Sequence, residues 1–212
     1  MFVVLALALL AVGLPAVIAR SRVRAVPAAS GRVVGQISDT ERAATFAFAP
    51  AVAPYDREVI VAAVARARPE AQRLVAAVDG LVDLEVAPAQ DGAVGTTQQV
   101  GTRFEVVLNL GAAARAAGQR GIDRLVLHEL GHVVDGALVP DTLRDQLVAQ
   151  VPRGFGCRDA VTGACAAPVE IFAESFAKWA TGDIGVNLNL GYAVPPPDDL
   201  QRWGAPLARL AG

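Results

Sequence analysis

At 212 residues the chain has room for one sizeable domain and no need of a second. Its net charge of −2 is carried without basic or acidic runs, which excludes the electrostatic footprint of a nucleic-acid binder. The 53% hydrophobic content is inflated by an apolar N-terminus, and 18 of the 19 basic residues are arginine, a bias that reads as GC-rich coding rather than chemistry.

Residues 1–19, MFVVLALALLAVGLPAVIA, carry no charged side chain; as a helix rising about 1.5 Å per residue they nearly cross a bilayer. The segment reads as a membrane anchor or as a signal-peptide core, with Val17-Ile18-Ala19 and Val26-Pro27-Ala28 as acceptable cleavage sites. A buried core helix is the competing reading. Arg20, Arg22 and Arg24 follow the apolar run, which by the positive-inside rule favours a cytoplasmic domain. Cys157 and Cys165 argue the other way. They bracket the loop CRDAVTGAC at a spacing suited to a disulfide, with two free thiols as the alternative, and disulfides persist in oxidising compartments. Taken together these features favour an extracytoplasmic protein, secreted or membrane-anchored.

Residues 20–40, rich in Arg, Ser, Gly and small side chains, read as a linker to a domain covering 41–212. Residues 42–49 suit a first strand. Pro54 opens a helix over 55–66, and Pro69 starts a second that runs to Val78 and ends at Gly80. Residues 81–86 alternate apolar and acidic side chains, as a half-buried strand does. The polar stretch 88–101 suits a surface loop or hairpin. Residues 103–110 form the clearest strand, with Phe104, Val106, Leu108 and Leu110 on one face. A helix is predicted over 121–134, with Gly136 and Pro140 as its stop signals. Another covers 141–150, and a further one begins at Pro168 and ends near Gly182. The tail holds Pro195-Pro196-Pro197 and reads as irregular.

The chain has two histidines, and they frame His128-Glu129-Leu130-Gly131-His132, the H-E-x-x-H pattern. Residues four apart share a helix face, so both imidazoles can grip one ion, and Glu129 beside them is placed to take a proton from water. A catalytic zinc usually takes three protein ligands. With no third histidine, a carboxylate or cysteine completes the set, and the cysteines are better used as a bridge. Asp135 lies on roughly the same face but about 4.5 Å further along the axis at 1.5 Å per residue, so a hydrogen-bonding or helix-end role suits it. The extended H-E-x-x-H-x-x-G-x-x-H/D pattern does not fit, because Asp135 and Leu138 hold its glycine and final-ligand positions.

The better candidate is the later helix, where Glu170 and Glu174 lie four apart among Ile171, Phe172, Phe176 and Trp179. A solvated helix edge is the simpler reading of two glutamates. Carboxylates on a mostly buried helix need partners, however, and a metal and an imidazole N–H supply them. Glu170 is assigned as ligand, and Glu174 as the acceptor that fixes the tautomer of a ligand histidine.

HELGHVVD followed some 35 residues later by EIFAESFAKW resembles the gluzincin metallopeptidases, particularly the catalytic domain of anthrax lethal factor and its relatives. The resemblance covers the two helices, about a quarter of the chain. It implies a zincin-like α+β fold, with a small mixed sheet packed on the H-E-x-x-H helix and a second, glutamate-bearing helix. It also implies that the first acidic residue of the second helix binds zinc while the second supports the site, the order given to Glu170 and Glu174. That group carries an oxyanion-stabilising tyrosine shortly before the ligand glutamate, where this chain has Gly163. Tyr192, downstream of the glutamate helix, is the remaining candidate donor, although a surface or packing role is the simpler reading for it.

The expectation is therefore a zinc-dependent endopeptidase acting on a peptide or protein substrate, with Glu129 as general base. The strand over 103–110, if it forms a sheet edge, would align the substrate by main-chain pairing. The alternatives are an exported zinc-binding module without catalysis, and an anchored interaction protein with no metal.

Overall fold

The computed structural model describes residues 46–88, 93–152, 166–188 and 190–212. The expectations for residues 1–19, the linker 20–40, and the pair Cys157 and Cys165 lie outside these residues. Among the described residues, no helix is long and apolar enough to cross a membrane.

The strands form one four-stranded mixed sheet. They are β1 (Ala47–Phe48), β2 (Val82–Val86), β3 (Gly95–Val100) and β4 (Arg103–Leu108), in the order β1-β2-β4-β3. β1, β2 and β4 run parallel, and β3 folds back antiparallel on β4. Parallel neighbours need a crossover connection. Helices α1 (Pro54–Ala65) and α2 (Pro69–Val78) supply it between β1 and β2, each opened by a proline whose fixed φ suits a first helical turn. Register decides which side chains face the helices. Val82 pairs with Phe104, Leu84 with Val106, and Thr97 with Val106 from the other side, so one sheet face collects Val82, Leu84, Gly95, Thr97, Phe104, Val106 and Leu108. A slip of one residue would turn Thr97 away from the interior.

Four further helices follow: α3 (Leu110–Leu138), α4 (Asp141–Ala149), α5 (Pro168–Thr181) and α6 (Leu200–Leu210). The protein is thus mixed α/β, with six helices and a small four-stranded sheet among the described residues. α3 is the central element: it touches α1, α2 and α5 as well as strands β3 and β4. Its residues 125–134 supply Leu125, Val126, Leu127, Leu130, Val133 and Val134 to the core, all at most 1% exposed.

Several elements differ from the sequence expectation. The strand over 103–110 ends at Leu108, because Asn109 caps α3 by accepting from the Ala112 N–H at 3.0 Å. α3 therefore starts well before Gly121, with its helical geometry interrupted at Ala117 and Gly118. Gly136 does not stop this helix. A Cβ there would lie 3.1 Å from the Phe104 ring, so the glycine permits close packing, and α3 ends at extended Val139 ahead of Pro140. The polar stretch 88–101 contains the hairpin strand β3. The tail is irregular only as far as Asp199, which caps α6 through the Arg202 N–H at 2.9 Å.

Candidate metal centre

Helical spacing places His128 and His132 on one face of α3, with ring centroids 5.0 Å apart and planes nearly perpendicular. What they face depends on how closely α5 can approach. Gly131 sets that distance: a Cβ at this position would come within 3.1–3.3 Å of Phe176 and the Ala173 backbone. With no side chain in the way, the first turn of α5 delivers Glu170 to the imidazole pair. Glu170 Oε2 lies 3.3 Å from Nε2 of both His128 and His132. All three side chains are buried, and their ligand atoms lie within 4.8 Å of one another, so this group can hold a metal ion. Glu170 Oε1 is buried without a hydrogen-bond partner among the described residues.

One turn further along α5, Glu174 stands behind His128. Its Oε2 lies 3.1 Å from His128 Nδ1, which fixes the ring so that Nε2 points at Glu170. Its Oε1 accepts from Arg124 Nη1 at 2.7 Å and lies 3.2 Å from Lys178 Nζ. Arg124 also donates from Nη2 to the Asp183 carbonyl, which anchors the chain leaving α5 to α3. Burial opposes charging of His128, yet the Glu170 and Glu174 carboxylates win and push it up to about 10. Burial likewise opposes ionisation of Glu174, but the His128 hydrogen bond and the Arg124 and Lys178 charges hold it down to about 2. Glu170 is held well below the ordinary carboxylate range, against burial, by its hydrogen bonds with the two imidazoles. The centre is therefore a pocket of ionised carboxylate around imidazole, electrostatically suited to a cation.

Glu129 faces the sheet. Thr97 of β3 donates from its hydroxyl to Glu129 Oε2 at 2.8 Å and also lies 3.1 Å from the Glu129 carbonyl oxygen. Beside it, Gly95 brings β3 so near that a Cβ would fall 2.4 Å from Glu129 Oε1. β3 is one edge strand of the sheet, with β1 at the other, whereas β4, which could align a substrate only if it formed an edge, lies between β2 and β3. The strand available beside the site for pairing with an extended chain is therefore β3.

Tyr192 reaches the centre. Its hydroxyl donates to Glu170 Oε2, the oxygen that both imidazoles face. Burial, then the charge and hydrogen bond of Glu170, with smaller contributions from Glu129 and Glu174, push the phenol above its ordinary value, so it stays a proton donor. Asp135 is buried one turn past His132, with Oδ2 3.7 Å from Arg144 and Oδ1 without a partner among the described residues. It makes no hydrogen bond to either imidazole, in keeping with the axial offset.

The structure thus brings together His128, His132, Glu129, Glu170, Glu174 and Tyr192, and leaves Asp135 at the margin. Sequence reasoning missed Thr97, Gly95, Arg124 and Lys178. Spacing alone could have pointed to two of them. Arg124 precedes His128 by four residues, and Lys178 follows Glu174 by four, so each buried cation sits one turn from a residue already singled out. Comparisons with protein families, with curated proteins and with solved structures found no match.

Proposed function

We propose that this chain is a zinc-dependent endopeptidase with a zincin-like fold, of the gluzincin kind. His128, His132 and Glu170 would hold the metal. The observation that carries the reading is the pair of 3.3 Å separations between Glu170 Oε2 and the two Nε2 atoms. Bonds of about 2.0–2.1 Å to a tetrahedral ion put ligand atoms roughly 3.3 Å apart, and two imidazoles with one carboxylate are a common catalytic zinc set. Glu170 Oε1 is also buried without a hydrogen-bond partner among the described residues, an acceptor whose burial a cation held by this group would help to offset. Zinc in such a set lowers the pKa of a water to about 7 and polarises a carbonyl.

The chain's own residues do the rest. Glu129 accepts the proton of the attacking water and returns it to the leaving amine, with Thr97 orienting the carboxylate through Oε2. Glu174 keeps the His128 tautomer fixed. Tyr192, protonated and in contact with Glu170, turns its single O–H from Glu170 Oε2 to the developing oxyanion, the role left open by Gly163. β3 aligns an extended peptide through its outer edge, unpaired among the described residues. Extracytoplasmic action, by secretion or through an anchor at residues 1–19, belongs to the same proposal and rests on that apolar segment and the cysteine pair.

The test is a peptide-library digest by zinc-loaded protein, with and without chelator. Cleavage that chelator abolishes and zinc restores is expected. Full zinc occupancy with no cleavage would replace the peptidase with a zinc-binding, non-catalytic assembly module.

A further inference from the structure

Lys178 is the only lysine in a chain with 19 basic residues, and it is 3% exposed. Every other cation is an arginine, so the one ammonium stands in the interior beside the metal centre. An ammonium is a compact point charge with three donors that can be aimed separately, whereas a guanidinium is a broad planar fork. Both kinds meet at one atom here. Arg124 approaches Glu174 Oε1 at 2.7 Å, and Lys178 Nζ shares that oxygen at 3.2 Å. Its remaining donors leave it free to bond elsewhere, and it donates to the carbonyl of Val194.

Val194 is two residues past Tyr192. The connection between α5 and α6 carries no helix or strand among its described residues. No strand or helix among the described residues therefore holds Tyr192, and its placement falls to side-chain anchors and to the packing of Val186, Leu188, Leu190 and Val194 on the core. The contacts form a closed circuit: Tyr192 to Glu170, Glu170 to His128, His128 to Glu174, Glu174 to Lys178, and Lys178 back to the tyrosine segment at Val194.

We propose that Lys178 is a positioning residue that suspends the Tyr192 segment from the Glu174 carboxylate and so aims the phenol at the metal-binding oxygen of Glu170. Its kinetic consequence rests on the peptidase reading above; the placement of the phenol does not.

The chain has two tyrosines, and Tyr55 is 73% exposed, so tyrosine labelled with 13C at Cζ reports on Tyr192 against a built-in solvent reference. In the zinc-loaded full chain two separate resonances are expected. K178M should move the Tyr192 resonance toward that of Tyr55 while zinc still binds at one equivalent. An unmoved resonance in folded K178M overturns the proposal. Should K178M fail to fold, the unaltered protein decides: nuclear Overhauser contacts from the side chain of its single lysine to Val194 support the tether, and their absence overturns it. On the kinetic side, K178M should lower kcat on the order of tenfold to a hundredfold with little change in KM. It should have almost no further effect in a Y192F background, whereas an undiminished effect there would separate Lys178 from Tyr192. If the unaltered protein cleaves nothing, the peptidase reading falls, and the tyrosine resonance still judges the tether.

Discussion

The two nitrogens of His128 look out on opposite kinds of surroundings. On the Nδ1 side both oxygens of the facing carboxylate are partnered: Glu174 meets the imidazole at 3.1 Å through Oε2, and Arg124 and Lys178 both grip its Oε1, although Arg124 Nε is itself buried without a partner among the described residues. On the Nε2 side the accounts are open. Glu170 Oε1 is buried with no hydrogen-bond partner among the described residues, and Glu129 has Thr97 on one oxygen while its other occupies space that a side chain at position 95 would fill. Burying unpaired polar atoms costs free energy, on the order of 1–3 kcal/mol each. The two sides thus differ in kind: one carboxylate is held through both oxygens by protein groups, and the other keeps an oxygen without a protein partner among the described residues. The Nδ1 side fixes where the imidazole points; on the peptidase reading proposed above, the Nε2 side is where metal and substrate would bind.

That division is most easily broken at Glu129. Replacing it with Gln keeps the shape and the Thr97 contact but removes the proton acceptor. Peptide cleavage should fall about 10²–10⁴-fold while metal content, measured on the purified protein, stays at the unaltered level. Undiminished cleavage by Glu129→Gln would deny the open side its catalytic role.

Glu170 and Glu174 sharpen the comparison because they should rank in opposite orders in two assays. Glu170→Ala deletes a proposed ligand atom and should weaken metal binding, read by competition with a chromophoric chelator, more than Glu174→Ala does. The latter should cost about 10–100-fold, as loss of an orienting partner usually does. In urea melts of the metal-free protein the order should reverse. Glu174→Ala strands Arg124 and Lys178 in the interior, and removing one member of a buried ion pair costs roughly 3–5 kcal/mol. Should one variant be worse in both assays, the two sides of His128 would not be functionally distinct.

How much of this was legible beforehand follows from distance along the chain. The histidine face of α3 and the glutamate face of α5 were readable, because each is a local pattern of period about 3.6 whose apolar neighbours declare burial. The place of Glu170 beside the two imidazoles followed from the same logic, since a carboxylate among Ile171, Phe172, Phe176 and Trp179 needs a partner. β3 was not readable as an edge beside the site. Gly95-Thr-Thr-Gln-Gln-Val has the composition of a loop and becomes a strand through pairing with β4, a tertiary effect that overrides propensity. Tyr192 was visible as a candidate but not assignable. It stands 22 residues from Glu170, in a segment without periodicity, so nothing local says which way it turns. The start of α3 and all of α6 were missed despite their caps: Asn109 was absorbed into a strand, and Asp199 was passed over beside three prolines.

Asp135 falls between the two sides of His128 and gives the smallest effect. Its Oδ2 sees Arg144 at 3.7 Å, too far for a hydrogen bond, and its Oδ1 has no partner among the described residues. Burial pushes its carboxyl up to about 6, with Arg144 and His132 opposing more weakly. In the unfolded chain an aspartate titrates near 3.9. Between about pH 4 and 6 the folded state therefore holds a proton that the unfolded state has released, so this group's contribution to stability is complete below pH 4 and is lost as pH rises through 6. Two units correspond to on the order of 2–3 kcal/mol. Asp135→Asn never ionises, so it should unfold at higher urea than the unaltered protein at pH 7, and the gap should close on acidification toward pH 4. A gap that is absent at pH 7, or that widens in acid, would mean Asp135 is stabilised as a carboxylate and belongs with the partnered side of the centre. A gap of the predicted sign would mark it as a third kind of residue here, a buried acid supported by neither the scaffold nor the metal ligands.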